Sequence, residues 1–204
     1  MHNKAVTFGR YMLISYAHLN TIQTILNKWN HVTIGILNND TKPNISNRVF
    51  LNKQMFYKLC EENWVPEKCI FSVEERIKMW KATISEYKID KHVDVVAIER
   101  PEYASVKFNK LFPETNYDLL FPKPTTNEES VFDLIRNECF SEILQRKVFE
   151  IEPELTIHTT DIKNKIYEGV SNWDEFMPQS ALQLFNHFNG NERMFNGDQK
   201  KIFT

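Results

Sequence analysis

The sequence predicts an α/β fold, a doubly wound, mainly parallel five-stranded sheet with helices on both faces. Its 204 residues suit one domain with a sizeable core, and 42% of them are hydrophobic and 13% aromatic, as in a folded globule. Short apolar or β-branched runs alternate with segments of helical spacing, which is the pattern of βαβ units. The predicted strands are residues 4–8, 31–37, 92–98, 117–121 and 147–151.

The first 37 residues make one such βαβ unit. Residues 4–8 form a short buried strand that ends at Gly9. From His18 to Trp29, apolar residues recur at helical spacing. The run 31–37 is β-branched and nearly continuous, which is typical of a central parallel strand. The crossover between the two strands is expected to be right-handed.

A polar interruption follows, and then the alternation resumes. Residues 38–69 contain two prolines and predict a loop with one embedded helix over 51–62. Ser72 precedes an acidic turn and should cap a helix that runs to about residue 87. Further helices are expected over 128–145, 160–168 and 178–188.

These elements together predict a Rossmann-like fold in one domain over residues 1–190, with an insertion at about 38–70 and a polar tail over 191–204. No internal repeat is visible in the sequence.

Composition excludes several classes of function. The 25 Lys and Arg against 27 Asp and Glu leave a net charge of −2, without the basic excess of a nucleic-acid binder. The five glycines form neither a GxGxxG fingerprint nor a P-loop, and the three cysteines include no CxxC pair. Apolar runs are too short for a membrane span or a signal-peptide core. We therefore expect a cytoplasmic protein with neither nucleic-acid nor membrane partners.

The loop after the first strand is the candidate site, since doubly wound sheets bind ligands beyond the carboxyl ends of their strands. Gly9 allows a ligand to approach the backbone closely. His18 falls in the first turn of the next helix, where free N–H groups and the helix dipole favour an anion. An imidazole there can donate to a phosphate oxygen. The alternative interpretation of His18 is a helix-capping or partly buried histidine.

Four segments, in order along the chain, resemble a known family. Residues 9–18 (GRYMLISYAH) resemble the GRFxPxHxGH signature of nucleotidylyltransferases, especially the adenylyltransferases that act on nicotinamide mononucleotide. Residues 71–79 (FSVEERIKM) are similar to the family's FTxxERIxMI segment, and residues 157–163 (IHTTDIK) to its ISxTEIR phosphate-binding motif. Residues 172–178 (NWDEFMP) are similar to its closing DWxxLVP segment.

The resemblance implies that an acceptor phosphate attacks the α-phosphorus of a nucleoside triphosphate and that pyrophosphate leaves. No enzyme nucleophile is needed, so positioning and charge stabilisation carry the reaction. The expected transfer is of AMP from ATP to a phosphorylated small molecule. Mg²⁺ would bridge the triphosphate oxygens, mostly through water and without protein side chains as ligands. The sequence leaves open whether the protein forms a homo-oligomer.

The resemblance also implies roles for individual residues. The backbone of Phe8 and Gly9 would contact the nucleotide, and His18 would donate to its phosphates. The implied catalytic residues are His18, Lys163 and Ser15, and the implied nucleotide-binding residues are Phe8, Gly9, Arg10, Thr160 and Ile162.

Several positions depart from the family pattern. Ser15 replaces the first histidine of HxGH, and Ala17 replaces its glycine. Lys163 replaces the arginine of ISxTEIR, which keeps the charge and loses bidentate geometry. Loss of one preorganised donor costs on the order of 10²–10³ in rate by analogy with an oxyanion hole. The alternative function is therefore a catalytically weakened, nucleotide-binding regulatory protein of the same fold.

The acceptor region departs further. The family's Asn-Asn-x-x-Trp segment is not visible in residues 99–107, so the acceptor is not expected to be simply nicotinamide mononucleotide. The loops after the third and fourth predicted strands carry three basic residues, Arg100, Lys107 and Lys123. These residues would either meet an anionic acceptor or be ordinary solvated charges.

Overall fold

The structure is a computed structural model that describes residues 2–38, 56, 58, 69–123, 131–152, 154, 155, 157 and 159–195. Its centre is a five-stranded sheet in the order β3-β2-β1-β4-β5, in which every neighbouring pair is parallel. The strands are β1 Lys4–Gly9, β2 His31–Leu37, β3 Val93–Ile98, β4 Tyr117–Pro122 and β5 Val148–Ile151. The predicted fold class is thereby confirmed.

The helices follow the strands in alternation. They are α1 Tyr16–Leu26, α2 Val73–Glu86, α3 Ser105–Leu111, α4 Val131–Leu144, α5 Thr159–Tyr167 and α6 Gln179–His187, with a 3₁₀ helix at Trp173–Phe176. The predicted helix over 51–62 lies outside the described residues except at positions 56 and 58, which are helical.

Helix α3 was not predicted from the sequence. It has seven residues and no side-chain cap, and it buries only Phe108. Val106 is 83% exposed and Leu111 53% exposed, so the apolar residues of this segment do not form one face. The periodicity that reveals longer helices is therefore missing.

Side chains alternate between the two faces of the sheet and form two hydrophobic clusters. One cluster includes Ala5 of β1 and Ile34 of β2, and it is covered by α1, α2, α5 and α6. The other includes Phe8 of β1 and Phe121 of β4, and it is covered by α3 and α4. This alternation follows from the two-residue period of a strand. Helices on both faces make the sheet doubly wound, as predicted.

The strand order places a topological switch point between β1 and β4. From β1 the chain moves outward through β2 and β3, whereas from β4 it moves in the opposite direction to β5. Helices α1 and α4 leave these two central strands on opposite faces. In doubly wound sheets, helices that diverge in this way leave a crevice at the carboxyl ends of the two central strands, which is where such sheets bind ligands.

The predicted polar tail begins with ordered structure. Residues 190–195 are helical, and Met194 is buried in the same cluster as Ile34. Residues 196–204 lie outside the described part of the chain, and the division into a domain and a tail stays a prediction. Within the described residues, no helix has the length and apolar character needed to cross a membrane.

Candidate functional site

The loop between β1 and α1 folds back on itself at the switch point. Tyr11 has a φ of 48°, in the left-handed region that few side chains adopt. Its ring then lies over Gly9, where an added Cβ would stand 3.1 Å from the Tyr11 ring. A glycine at position 9 therefore allows the loop to return this closely. Burial raises the pKa of Tyr11 to about 12, and a hydrogen bond with the Thr7 side chain opposes that change.

Helix α1 begins with a capping box in which a histidine takes the position that glutamate or glutamine usually occupies. Ser15 is the N-cap, with φ −104° and ψ 166°. Its Oγ accepts from the His18 backbone N–H at 3.4 Å. In return, the Ser15 backbone N–H donates to His18 Nδ1 at 3.2 Å. His18 thus lies in the first turn of α1, as predicted, and also caps the helix, which the alternative interpretation proposed.

The cap determines the form of the imidazole. A backbone N–H can donate to Nδ1 only if Nδ1 carries a lone pair, so the neutral ring holds its proton on Nε2. Burial lowers the pKa of His18 from its ordinary 6.5 to about 4, against an opposing contribution from the Leu13 backbone. His18 is therefore neutral at pH 7, and a phosphate that accepts from its Nε2–H would compete with the hydrogen bond of the ring to the Leu13 backbone.

We expect this low pKa to make the stability of the protein depend on pH. Between pH 6.5 and 4 the unfolded chain binds a proton at His18 that the folded chain does not, so stability falls as the pH falls through this window. The free energy of unfolding should fall by on the order of 2 kcal/mol. This is less than the pKa difference alone would give, because solvent reaches part of the ring. Urea denaturation of wild type and His18→Gln at pH 7 and pH 4.5 measures it. Equal losses of stability in wild type and His18→Gln would contradict the assignment of this pH dependence to His18.

Arg76 of α2 lies beneath this loop and joins three elements. Its side chain is fully buried. Nη1 donates to the Arg10 carbonyl at 2.6 Å and to the Leu37 carbonyl at 3.1 Å, while Nε donates to the Ser72 carbonyl at 3.2 Å. The guanidinium thus ties the carboxyl ends of β1 and β2 to the start of α2.

Two further arginines lie at the edge of the crevice. Burial lowers the pKa of Arg10, and Cys69 acts in the opposite direction. Arg136 of α4 donates from Nη2 to the Pro122 carbonyl at 3.0 Å and lies 5.1 Å above the Phe121 ring. It is near enough to Tyr11 to oppose the rise in the pKa of that phenol. The sequence did not point to Arg136 as a site residue, because a single arginine within a helix forms no recognisable motif.

The predicted phosphate residues of the third motif, residues 157–163, lie on α5. Thr160 is exposed in its first turn, Lys163 is half-buried one turn later, and Ile162 is buried in the core. Asn20 of α1 ties the preceding segment to the candidate site, since its Oδ1 accepts from the backbone N–H groups of Glu154 and Leu155 at 2.9 and 3.3 Å. Asn20 thus links α1 to the segment that precedes α5.

Phe8 is the penultimate residue of β1, and its side chain lies in the cluster covered by α3 and α4. It packs edge to face on Phe108, Phe121 and Phe140, with ring centroids 4.8–5.3 Å apart. Its predicted contact with a nucleotide is through the backbone and stays a prediction.

The three predicted acceptor residues each have a carboxylate partner. Arg100 is buried, and its Nε donates to Glu102 at 2.5 Å. The exposed Lys107 pairs with Glu99, and the exposed Lys123 pairs with Glu152 at 2.9 Å. Lys107 also lines a cavity of about 240 Å³ beside the carboxyl end of β3. The structure therefore brings Lys107 to a cavity, whereas Arg100 belongs to a buried ion pair. The acceptor role of all three stays a prediction.

Among the described residues, no group of three or more His, Cys, Asp or Glu side chains is arranged to hold a metal ion.

Comparison with solved structures shows that the chain shares its fold with two adenylyltransferases. It matches a bifunctional NMN adenylyltransferase/ADP ribose pyrophosphatase from Francisella tularensis, solved in complex with AMP and a manganese ion, with a TM-score of 0.55, 15% identity and 93% of this chain covered. A second structure of that protein gives a TM-score of 0.56 and 15% identity over 93% of this chain. The chain spans only about half of the Francisella protein, 53% and 54% in the two structures.

A protein assigned as a nicotinate-nucleotide adenylyltransferase from Vibrio parahaemolyticus matches over nearly its whole length. Its TM-score is 0.53 at 15% identity, with 91% of this chain and 99% of that chain covered. No protein-family model and no curated protein matches the sequence. The likeness therefore concerns the fold, and it agrees with the family that the four segments resemble.

Proposed function

We propose that the chain is a nucleotidylyltransferase that transfers AMP from ATP to a phosphorylated small molecule and releases pyrophosphate. The observation that carries the proposal is the capped N-terminus of α1 at the switch point, with a neutral His18 in its first turn. Unpaired N–H groups, the helix dipole and an imidazole N–H together favour a phosphate there. The adenylyltransferase fold of the neighbours supports the same reaction class.

In this proposal the triphosphate lies across the first turns of α1 and α5. Nε2–H of His18 donates to a phosphate oxygen, and Thr160 and Lys163 hold the outer phosphates by hydroxyl and charge. The acceptor phosphate attacks the α-phosphorus, the bond from that phosphorus to the β-phosphate oxygen breaks, and pyrophosphate leaves. Mg²⁺ bound to the triphosphate would neutralise part of its charge.

The acceptor would approach from the cavity beside β3. Asn38, Glu99 and Lys107 supply polar groups there, and Phe108 supplies an apolar wall. Since Lys107 is exposed and Glu99 is its partner, an acceptor phosphate would have to compete with that carboxylate. We infer that the acceptor is a small phosphorylated compound other than nicotinamide mononucleotide.

The test is pyrophosphate release from Mg²⁺, each nucleoside triphosphate and a panel of phosphorylated acceptors. We expect release with ATP and a decrease of about 10²-fold in the Lys163→Met variant, because the leaving phosphates lose a positive charge. Lys165→Met is the matched control, since Lys165 lies on the same helix over the Phe176 ring. Equal activity in the two variants would remove Lys163 from the proposed site.

A regulatory nucleotide-binding protein is the second candidate function. Ser15 favours this candidate. It stands in place of the first histidine of the HxGH pattern, its side chain is fully buried, and its Oγ already caps α1. An ATP-dependent rise in melting temperature without pyrophosphate release from any acceptor would support this candidate and overturn the enzyme proposal.

A further inference from the structure

Two aromatic side chains pack against the His18 ring, and we call Tyr11 and Trp80 the aromatic pair. The Tyr11 ring centroid lies 5.2 Å from that of His18 at an interplanar angle of 78°. The Trp80 centroid lies 6.5 Å away at 62°. Tyr11 and Trp80 themselves meet edge to face at 5.3 Å and 89°. His18 therefore faces an aromatic ring from its own loop and another from α2.

We propose that Tyr11 and Trp80 are positioning residues, which hold the His18 ring in the orientation that commits Nδ1 to the helix cap and keeps Nε2–H as the donor that a phosphate would take over from the Leu13 backbone. The identity of the ligand rests on the proposed function. The orientation of the ring does not, and it can be measured without any substrate.

The cap alone is too weak to fix the ring. Its three contacts are long, at 3.2 Å from the Ser15 N–H to Nδ1, 3.2 Å between Ser15 Oγ and Nδ1, and 3.4 Å from the His18 N–H to Ser15 Oγ. The χ2 torsion of histidine is also broad and roughly two-fold, so a ring flip would exchange Nδ1 for a carbon. Packing against the aromatic pair restricts the plane of the imidazole, and within that plane the Ser15 N–H selects the orientation that presents Nδ1.

The aromatic pair is itself held firmly. Trp80 is fully buried and belongs to the larger core cluster. Tyr11 is fixed by its backbone at φ 48°, by the close contact over Gly9 and by its hydrogen bond with Thr7. A rigid core residue thus supports Tyr11, and both rings support His18.

Neither member of the aromatic pair carries a charge beside His18. Trp80, which faces His18 from α2, carries no charge, and the phenol of Tyr11 stays neutral because burial raises its pKa to about 12. The causes that act on the pKa of His18 are burial and the Leu13 backbone. Removing one ring of the aromatic pair should therefore change the titration of His18 by admitting water.

Long-range ¹H–¹⁵N spectra of the imidazole, recorded from pH 4 to pH 8, test the proposal in the full chain. We expect wild type to show the Nε2–H tautomer alone, with no titration near the ordinary pKa of about 6.5. In Tyr11→Leu we expect both tautomers and a pKa shifted towards that value. Tyr11→Phe keeps the ring and should keep the wild-type spectrum.

The activity readout then separates positioning from binding. If wild type releases pyrophosphate, Tyr11→Leu should lower kcat about tenfold or more with little change in KM for ATP, since only the placement of the donor is lost. A wild-type protein without activity whose Tyr11→Leu spectrum still changes would reject the proposed function and keep the positioning role.

An unchanged His18 tautomer and titration in folded Tyr11→Leu would overturn the proposal. If that variant does not fold, Trp80→Phe decides by the same spectra, because it keeps an apolar ring in the core and removes part of the contact with His18. Mixed tautomers in Trp80→Phe would support the proposal, and a wild-type spectrum would reject it.

Discussion

Replacing His18 with glutamine should lower pyrophosphate release about 10²–10³-fold, the usual cost of removing one preorganised donor to a developing charge. The melting temperature should stay nearly unchanged. Glutamine at the third helical position is a normal partner in a capping box, so its side-chain oxygen can accept from the Ser15 N–H as Nδ1 of His18 does. The substitution therefore removes the imidazole and keeps the cap.

His18→Ala separates the two roles of the residue. It removes the donor and also the acceptor for the Ser15 N–H, so we expect the same loss of activity and an additional loss of about 1 kcal/mol in stability. Urea denaturation at pH 7 and pyrophosphate release, measured side by side on both variants, give the two effects. Full activity in His18→Gln would mean that the imidazole does not contact the reacting phosphates.

The strands and the long helices could be predicted because they depend on local pattern. The nearly continuous apolar run at 31–37 became β2 with the same bounds, and the helix predicted over 72–87 became α2, Val73–Glu86. The order of the strands in the sheet depends on long-range pairing and is not encoded in periodicity. The position of His18 in the first turn of α1 was predicted, because a short loop after a central strand leaves few alternatives.

The supporting residues of the candidate site could not be predicted in the same way. Arg76 has the pattern of a residue that pairs on its own helix, yet it donates to carbonyls 39 and 66 positions away in sequence. The contact between Trp80 and His18 likewise spans two separate elements. Such contacts follow from the packing of the helices on the sheet, and no single segment of the sequence contains them.

Arg76 carries the largest expected effect on stability. In Arg76→Met the side-chain volume is nearly kept, while the carbonyls of Arg10 and Leu37 lose a charged donor inside the protein. Each hydrogen bond to a charged group contributes roughly 1.5–3 kcal/mol, and relief of the desolvated guanidinium offsets part of their loss. We expect a net loss of about 3 kcal/mol, which lowers the melting temperature by about 6–12 °C in a domain of this size.

Lys81→Met is the matched control for this variant, since Lys81 lies exposed on the same helix and should melt like wild type. Because the Arg76 guanidinium also fixes the Arg10 carbonyl, ATP should protect Arg76→Met less against thermal unfolding than it protects the control. If Arg76→Met melts within about 2 °C of Lys81→Met, a difference below 1 kcal/mol, the guanidinium is not what joins β1 and β2 to α2. A large thermal loss with full ATP protection would instead make Arg76 a support of the fold that the nucleotide site does not need.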